Sequence, residues 1–402
     1  MNKKIYFCLI FVLTTVMLPA QSIFSFYGPA EISLVRDPHG EGMGGTGIGD
    51  TFRPNLSLIN PALAATLERT YFSTALSFGN TTFSDQDNHS FQDNESNLPY
   101  FNIILPYQKH RFGLSYNNIT SSVLSAKAAF INEVGDELQE SRKISFSLNQ
   151  AGIIYAYQND LCNWGIGINY LFGHQIYDFK QDYHDQDLDD VINRNEKVFS
   201  QINANFSFTK QIQRISTGLV ISLPANLQGT EKILTKAYTE EKEYTYTYPF
   251  QLMSGITYQV SPYIFVSTDF DYQQWSTSDN FSHPTDTFRL GTGISWTGIK
   301  NSRAWYTKIP LRTGFSIRNL PFQIAETHIY ETAWHAGVSI PLKGMDNYVE
   351  LSLKMFQRGK QATHGYSEDG WIMSFGLVGF DFLRKPLNRK QPRPIPKPDP
   401  GY

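Results

Sequence analysis

Set aside a basic and apolar leader, and what remains has a single cysteine, no long apolar run and no surplus of positive charge. The leader is Met1-Asn2-Lys3-Lys4 followed by the apolar stretch Ile5 to Leu18 and then Pro19, Ala20, Gln21 and Ser22. That layout is expected of a cleavable export signal over residues 1–22. Of the 2 cysteines, Cys8 lies in the leader, so Cys162 alone is left and an internal disulfide scaffold is excluded. Beyond the leader no run of about 18 apolar residues occurs, so no helix is expected to cross a membrane. A formal net charge of -3, without a basic stripe, excludes nucleic acid as a partner. The histidines are dispersed, with neither an H-E-x-x-H nor a G-x-S-x-G motif. No enzyme activity, cofactor or metal is therefore expected. A lumen pair such as His335 beside Ser339 is the kind of juxtaposition that chance produces.

Helical periodicity is also nearly missing, and the pattern that replaces it has period 2. Aromatic residues make up 14% of the chain, with Tyr 23 and Phe 29. From Thr70 onward large apolar residues alternate with small or polar ones, as side chains do on the two faces of a strand. In Trp164 to Phe172 the large residues take the even positions; in Phe288 to Trp296 they oppose Arg289, Gly291, Gly293 and Ser295. About fourteen such segments are read, near 71–79, 100–107, 111–123, 143–157, 163–175, 197–208, 213–222, 247–259, 262–274, 285–297, 309–318, 331–341, 347–358 and 371–383.

The apolar phase is almost free of charge, whereas Arg111, Lys143, Asp269, Asp271, Arg289, Arg312, Glu350 and Lys354 fall in the other. Connections alternate between long (80–98, 131–142, 176–196, 223–246) and short (107–111, 158–162, 209–212, 259–262). Outer-membrane barrels have this parity, an even strand number and an apolar outer band. A lipid-facing charge at mid-membrane costs roughly 2–4 kcal/mol, and an open sheet edge leaves amides unsatisfied in hydrocarbon. The expected fold is thus all-β, an antiparallel transmembrane barrel over 70–384 in contact with outer-membrane lipids. Asp269, Asp271, Arg289, Arg312, His335, Glu350 and Lys354 would face its lumen, and both chain ends would lie in the periplasm. Residues 385–402, with Pro392, Pro394, Pro396, Pro398 and Pro400 at alternate places, read as an extended basic periplasmic tail.

Two motifs stand outside the strand rhythm. Gly42-Met43-Gly44-Gly45-Thr46-Gly47 matches G-x-G-x-x-G, but no strand precedes it and Phe52-Arg53-Pro54 follows where a helix should run. These glycines are expected to let backbone approach backbone instead. Asp185 to Glu196 places oxygen side chains at calcium-loop positions, although Asp190 stands where the sharp turn needs glycine. An acidic external loop is the simpler expectation.

The run Gly42, Gly44, Gly45, Gly47 followed by Asn60-Pro61-Ala62-Leu63-Ala64 resembles the N-terminal signature of FadL-type outer-membrane transporters. Leu311-Arg312-Thr313-Gly314-Phe315, Ala336 to Pro341 and Ser367 to Trp371 are similar to late strands of that group. The resemblance implies an N-terminal plug over 23–69 inside a fourteen-stranded barrel, with Asn60, Pro61 and Ala62 at its turn into the first strand. It further implies passive uptake of hydrophobic small molecules such as long-chain fatty acids, through an outer landing site and a wall gap at an inward kink. Tyr238, Tyr244, Tyr246, Tyr248 and Phe250 are candidates for the landing site. The alternative within the same group is a PorV-like platform that holds a secreted or periplasmic protein and transports nothing.

Overall fold

The computed structural model describes residues 22–28, 37–53, 59–87, 89–131, 137–183, 191–299, 303–342 and 347–380. All but the last residue of the expected 1–22 export leader, and the proline-rich tail, fall outside them.

Strands dominate because residues with period-2 apolarity can bury one face only by pairing sideways into a sheet. They are β1 (Tyr71–Asp85), β2 (Ser90–Tyr107), β3 (His110–Ile131), β4 (Glu137–Tyr157), β5 (Asn163–Tyr183), β6 (Val191–Ile212), β7 (Ile215–Ser222 continuing as Ala225–Thr235) and β8 (Thr239–Tyr248 continuing as Gln251–Ser261). The second half comprises β9 (Ile264–Gln273), β10 (Thr287–Trp296), β11 (Leu311–Ile324), β12 (Thr327–Pro341), β13 (Tyr348–Gly359) and β14 (Tyr366–Phe380). Each pairs antiparallel with its neighbour, and β1 pairs with β14 from Phe72↔Phe380 to Asp85↔Tyr366. The sheet therefore closes into a fourteen-stranded ring, as the alternation implied.

Exposed apolar side chains form the outer band, among them Leu114, Ile153, Ile168, Ile202, Ile256 and Trp334. The opposite phase points inward and is buried. This is the inside-out polarity that a hydrocarbon surround demands.

The long connections expected at one end are mostly strand. β1 and β2 run to within a few residues of each other, joined by Gln86 to His89. Residues 225–248 form a hairpin in which Ala225↔Tyr248 through Leu234↔Thr239 are paired. β3 has 22 residues, against the 9–11 that cross a bilayer. Half of the ring is thus much taller than a bilayer crossing requires and forms a hydrogen-bonded wall, while β9 and β10 have 10 residues each. The physical reason is that a hairpin in water carries polar residues on both faces. The alternation disappears there although the ladder continues.

Candidate functional site

The lower lumen is filled by residues 37–53 and 59–66. A short helix, α1 (Pro38–Gly42), is capped by Asp37, whose carboxylate accepts from the Gly40 amide at 2.8 Å. It packs on the inner faces of β11 to β14. The 3-10 turn Pro61–Thr66 packs on β3 to β6, across the ring. Asn60 ties the two parts: its Oδ1 accepts from the Ala62 amide at 3.0 Å, and its Nδ2 donates to Ile48 O at 2.6 Å.

The glycines make the contact close. Gly44 has φ 75°, and a Cβ there would lie 2.5 Å from Thr292 O and 2.7 Å from Phe315 O. A Cβ on Gly42 would lie 2.9 Å from Gly337 Cα. Gly45 and Gly47 also have positive φ, 68° and 134°. Backbone here touches backbone, which only glycine permits.

All seven polar residues assigned to the lumen point inward, and most meet the inner segment. Asp269 accepts from the Ile48 amide at 3.0 Å. Arg289 binds Asp271 at 2.8 Å and donates to Gly44 O at 2.5 Å. Arg312 donates to His39 Nδ1 at 2.7 Å and to Ser339, which donates to Glu350 at 3.2 Å. His335 Nε2 bonds Ser316 Oγ at 2.9 Å rather than Ser339. Lys354 pairs with Glu331 at 3.0 Å. Missed from sequence were Arg53, which holds Asp50 at 2.7 Å and Asp37 at 3.3 Å within the segment, and the cluster around Glu331. Glu331 and Arg358 share the inward phase of strands that were read, so that phase was the available signal.

His39 gives the inner segment a pH dependence. Burial, reinforced by Arg312 and Arg53 and opposed by Asp37, holds its ring well below the ordinary 6.5. The folded state thus keeps His39 neutral while an undocked segment would take up a proton. Docking is favoured above pH 6.5 and weakens as pH falls below it. Chymotrypsin cleavage after Phe52 is expected to accelerate as pH is lowered through this range, and His39→Gln is expected to flatten the profile.

The upper lumen is apolar. Ile119, Phe146, Leu148, Leu171, Phe199, Leu227, Tyr246, Tyr248 and Trp275 form one buried cluster. Tyr246 and Tyr248, expected in an external loop, lie within it, Tyr244 and Phe250 are half-buried, and Tyr238 alone of the five is exposed.

Ser22 to Gly28 also lie at this upper end, opposite the end where Phe380 leaves the ring. Phe24 packs with Leu320, Phe322 and Ile329, beside the turn between β11 and β12. Ser22 Oγ and the Ile23 amide both donate to Glu368 at 2.6 Å. Arg358 bridges Glu368 and Glu331, each at 2.6 Å, and Arg318 joins Glu331 at 2.7 Å. The N-terminal stretch is therefore not at the end of the ring expected to hold both termini: a fully inward charge cluster holds it at the opposite end.

One seam interrupts the wall. The β2–β3 ladder runs from Tyr107↔His110 only to Tyr100↔Asn117, although both strands continue far above it. At this level β2 has a register shift around Leu98 and Pro99, and β3 has one at Ile119. Proline lacks the amide that a ladder needs. Asn117, Asn118, Ile119 and Thr120 are buried in succession, so β3 steps into the lumen, and Asn97 Nδ2 donates to Asn118 Oδ1 at 2.9 Å across the parting.

The calcium-loop expectation is corrected for its second half. Val191 to Glu196 are ladder residues of β6, paired from Gln181↔Val191 to Ile176↔Glu196. Glu196 lies 3.5 Å from Arg194. Residues 185–190 are outside the described residues. A straight strand cannot wrap an ion. Elsewhere among the described residues, Asp85, Asp87 and His89 are close enough to share a cation. They lie at the β1–β2 turn, with Asp87 and His89 exposed and Asp85 half-buried, and Asp85 accepts the amides of Asp87 and His89 at 2.9 and 2.8 Å.

A family model described as BamG matches residues 1–378. The chain belongs to the BamG family. No protein of curated function matches its sequence. Its barrel is similar to the toluene transporter TbuX of Ralstonia pickettii, with TM-score 0.60 and 14% identity over 86% of this chain and 99% of that one. A Pseudomonas aeruginosa FadL homologue gives TM-score 0.60 and 11% identity, covering 88% and 100%. The P. putida toluene transporter TodX gives 0.56 and 12%, covering 88% and 98%. At these identities the likeness is one of fold: this BamG-family chain has the FadL-type barrel, as the N-terminal and late-strand motifs suggested.

Proposed function

We propose that this barrel sits in a Gram-negative outer membrane and passes small hydrophobic molecules from outside sideways into the bilayer. The observation that carries the reading is the β2–β3 seam. A route straight down the lumen is blocked by backbone contacts and ion pairs, which a greasy molecule cannot cross without stranding buried charge. The seam offers an exit above that block, and Ile119, on the strand that turns inward there, belongs to the apolar upper cluster. The similar structures named as transporters of toluene support the same class of cargo. Monoaromatic compounds and long-chain fatty acids are the two sizes to compare.

The test is to close the seam. Replacing Asn97 and Asn118 by cysteine, at side chains already in hydrogen-bond contact, is expected to let a disulfide pin β2 to β3 without disturbing the rest of the ring. Uptake of labelled toluene or oleate by cells carrying the oxidised double variant should fall to that of cells lacking the protein, and recover with reductant. Unchanged uptake in the pinned form would refute the lateral route.

A second reading draws on the tall wall that rises beyond the membrane on one side of the ring. As a platform for a secreted or periplasmic protein, the barrel would need no exit. Native purification in mild detergent separates the two: bound hydrophobic molecules speak for transport, a stoichiometric protein without them for the platform.

A further inference from the structure

We propose that the cavity above the aromatic cluster, on the outer side of the barrel, is a saccharide-binding site. It holds about 450 Å³, within the range that encloses a small organic ligand.

One wall is a grid of inward side chains fixed by strand register. Ile144 stands beside Tyr177, and Tyr177 beside Asn195, across β4, β5 and β6. One step toward the membrane Gln175 pairs with Lys197. The opposite wall comes from two separate segments, with Tyr27 from the N-terminal stretch and Phe281 and Ser282 from the β9–β10 connection.

The chemistry of this lining selects its ligand. Among the described residues no carboxylate lines the cavity, so the lining they form offers neutral polar groups and rings rather than ligands for a metal ion or a cation. Glu231 lies behind Lys197 at 3.7 Å and also pairs with Lys242 at 3.1 Å, so the cation that reaches the cavity is partly neutralised. A pure hydrocarbon would bury the Gln175 amide and the Tyr177 and Ser282 hydroxyls without partners, and that costs affinity. A sugar ring satisfies both halves. Its hydroxyls give and accept hydrogen bonds, and its C–H face is weakly positive, matching the negative faces of the Tyr27, Tyr177 and Phe281 rings. The wall strands reach this height only because their ladders continue beyond the bilayer, so the cavity is presented to the outside.

The inference is independent of lateral transport. Full-length protein in detergent is titrated with maltose, with diacetylchitobiose and with benzoate, read by saturation-transfer NMR. At least one disaccharide is expected to bind, and Gln175→Ala and Tyr177→Ala are each expected to weaken it about five- to tenfold. Both variants should retain the wild-type heat-modified gel shift, since neither side chain belongs to the buried cluster. Absence of disaccharide binding at tens of millimolar would overturn the proposal. So would binding that survives both substitutions unchanged, or Lys197-dependent binding of benzoate without either sugar.

Discussion

A valine at position 44 is expected to unseat the inner segment and turn a closed barrel into a conducting one. Gly44 holds a positive φ, and any Cβ there meets the carbonyl oxygens of Thr292 and Phe315 at 2.5 and 2.7 Å. Those atoms belong to paired strands, β10 and β11, and cannot retreat without breaking the ladder. Strain of about 1–3 kcal/mol for the left-handed backbone adds to about 1–3 kcal/mol for overpacking. Together they shift the docked-to-undocked ratio by roughly one and a half to four orders of magnitude, since each 1.4 kcal/mol is about tenfold. Single-channel recording in planar bilayers should show openings in Gly44→Val that the parent protein lacks. Silence from a correctly inserted variant would mean that the seal does not depend on this contact. Alanine is expected to show the same effect more weakly, because the backbone strain remains while the added volume is smaller.

Removing the charge of Glu331 should produce the largest loss of barrel stability. Its carboxylate meets Arg318 at 2.7 Å, Lys354 at 3.0 Å and Arg358 at 2.6 Å. Arg358 is almost fully enclosed, so Glu331→Gln leaves cations with too little compensation in a place water hardly reaches. Breaking a buried pair from one side costs about 3–5 kcal/mol. Urea titration in detergent, followed by the gel mobility of the folded barrel, should move to a clearly lower midpoint. Glu331→Asp, which keeps the charge, should recover part of the difference. Equal midpoints for all three proteins would show that lumen water already screens the cluster. Because Arg358 also holds Glu368, to which Ser22 and the Ile23 amide donate, the Gln variant should additionally loosen the upper N-terminal stretch.

These effects sit on features that differ in how visibly the chain announces them. The fourteen strands were legible wherever lipid lies on one side, because hydrocarbon forces strict alternation onto Trp164 to Phe172 or Phe288 to Trp296. The same strands became unreadable beyond the bilayer. Thr239 to Tyr248, with its glutamates, lysine and tyrosines, looks like a loop because water on both faces removes the pressure to alternate. Inward charges such as Asp269 and Arg312 were readable by phase, but their partners were not, since Ile48 and His39 reach them from more than two hundred residues away. The seam had only a faint trace. Pro99 hints at a missing amide, yet nothing in Asn117-Asn118-Ile119-Thr120 says that β3 turns inward. That step is a property of main-chain pairing between two strands, not of side chains along one.

The ladder between β1 and β14 bears on how such a molecule can be built. It joins the first strand to the last, so the ring stays open until the whole chain has been delivered. The segment that fills the lower lumen precedes β1 and is gripped from both sides by strands made much later. Once the last strand zips, no doorway remains wide enough to admit a folded insert. The insert must therefore already be lying in the half-formed trough, and closing the ring and corking it are a single event of assembly.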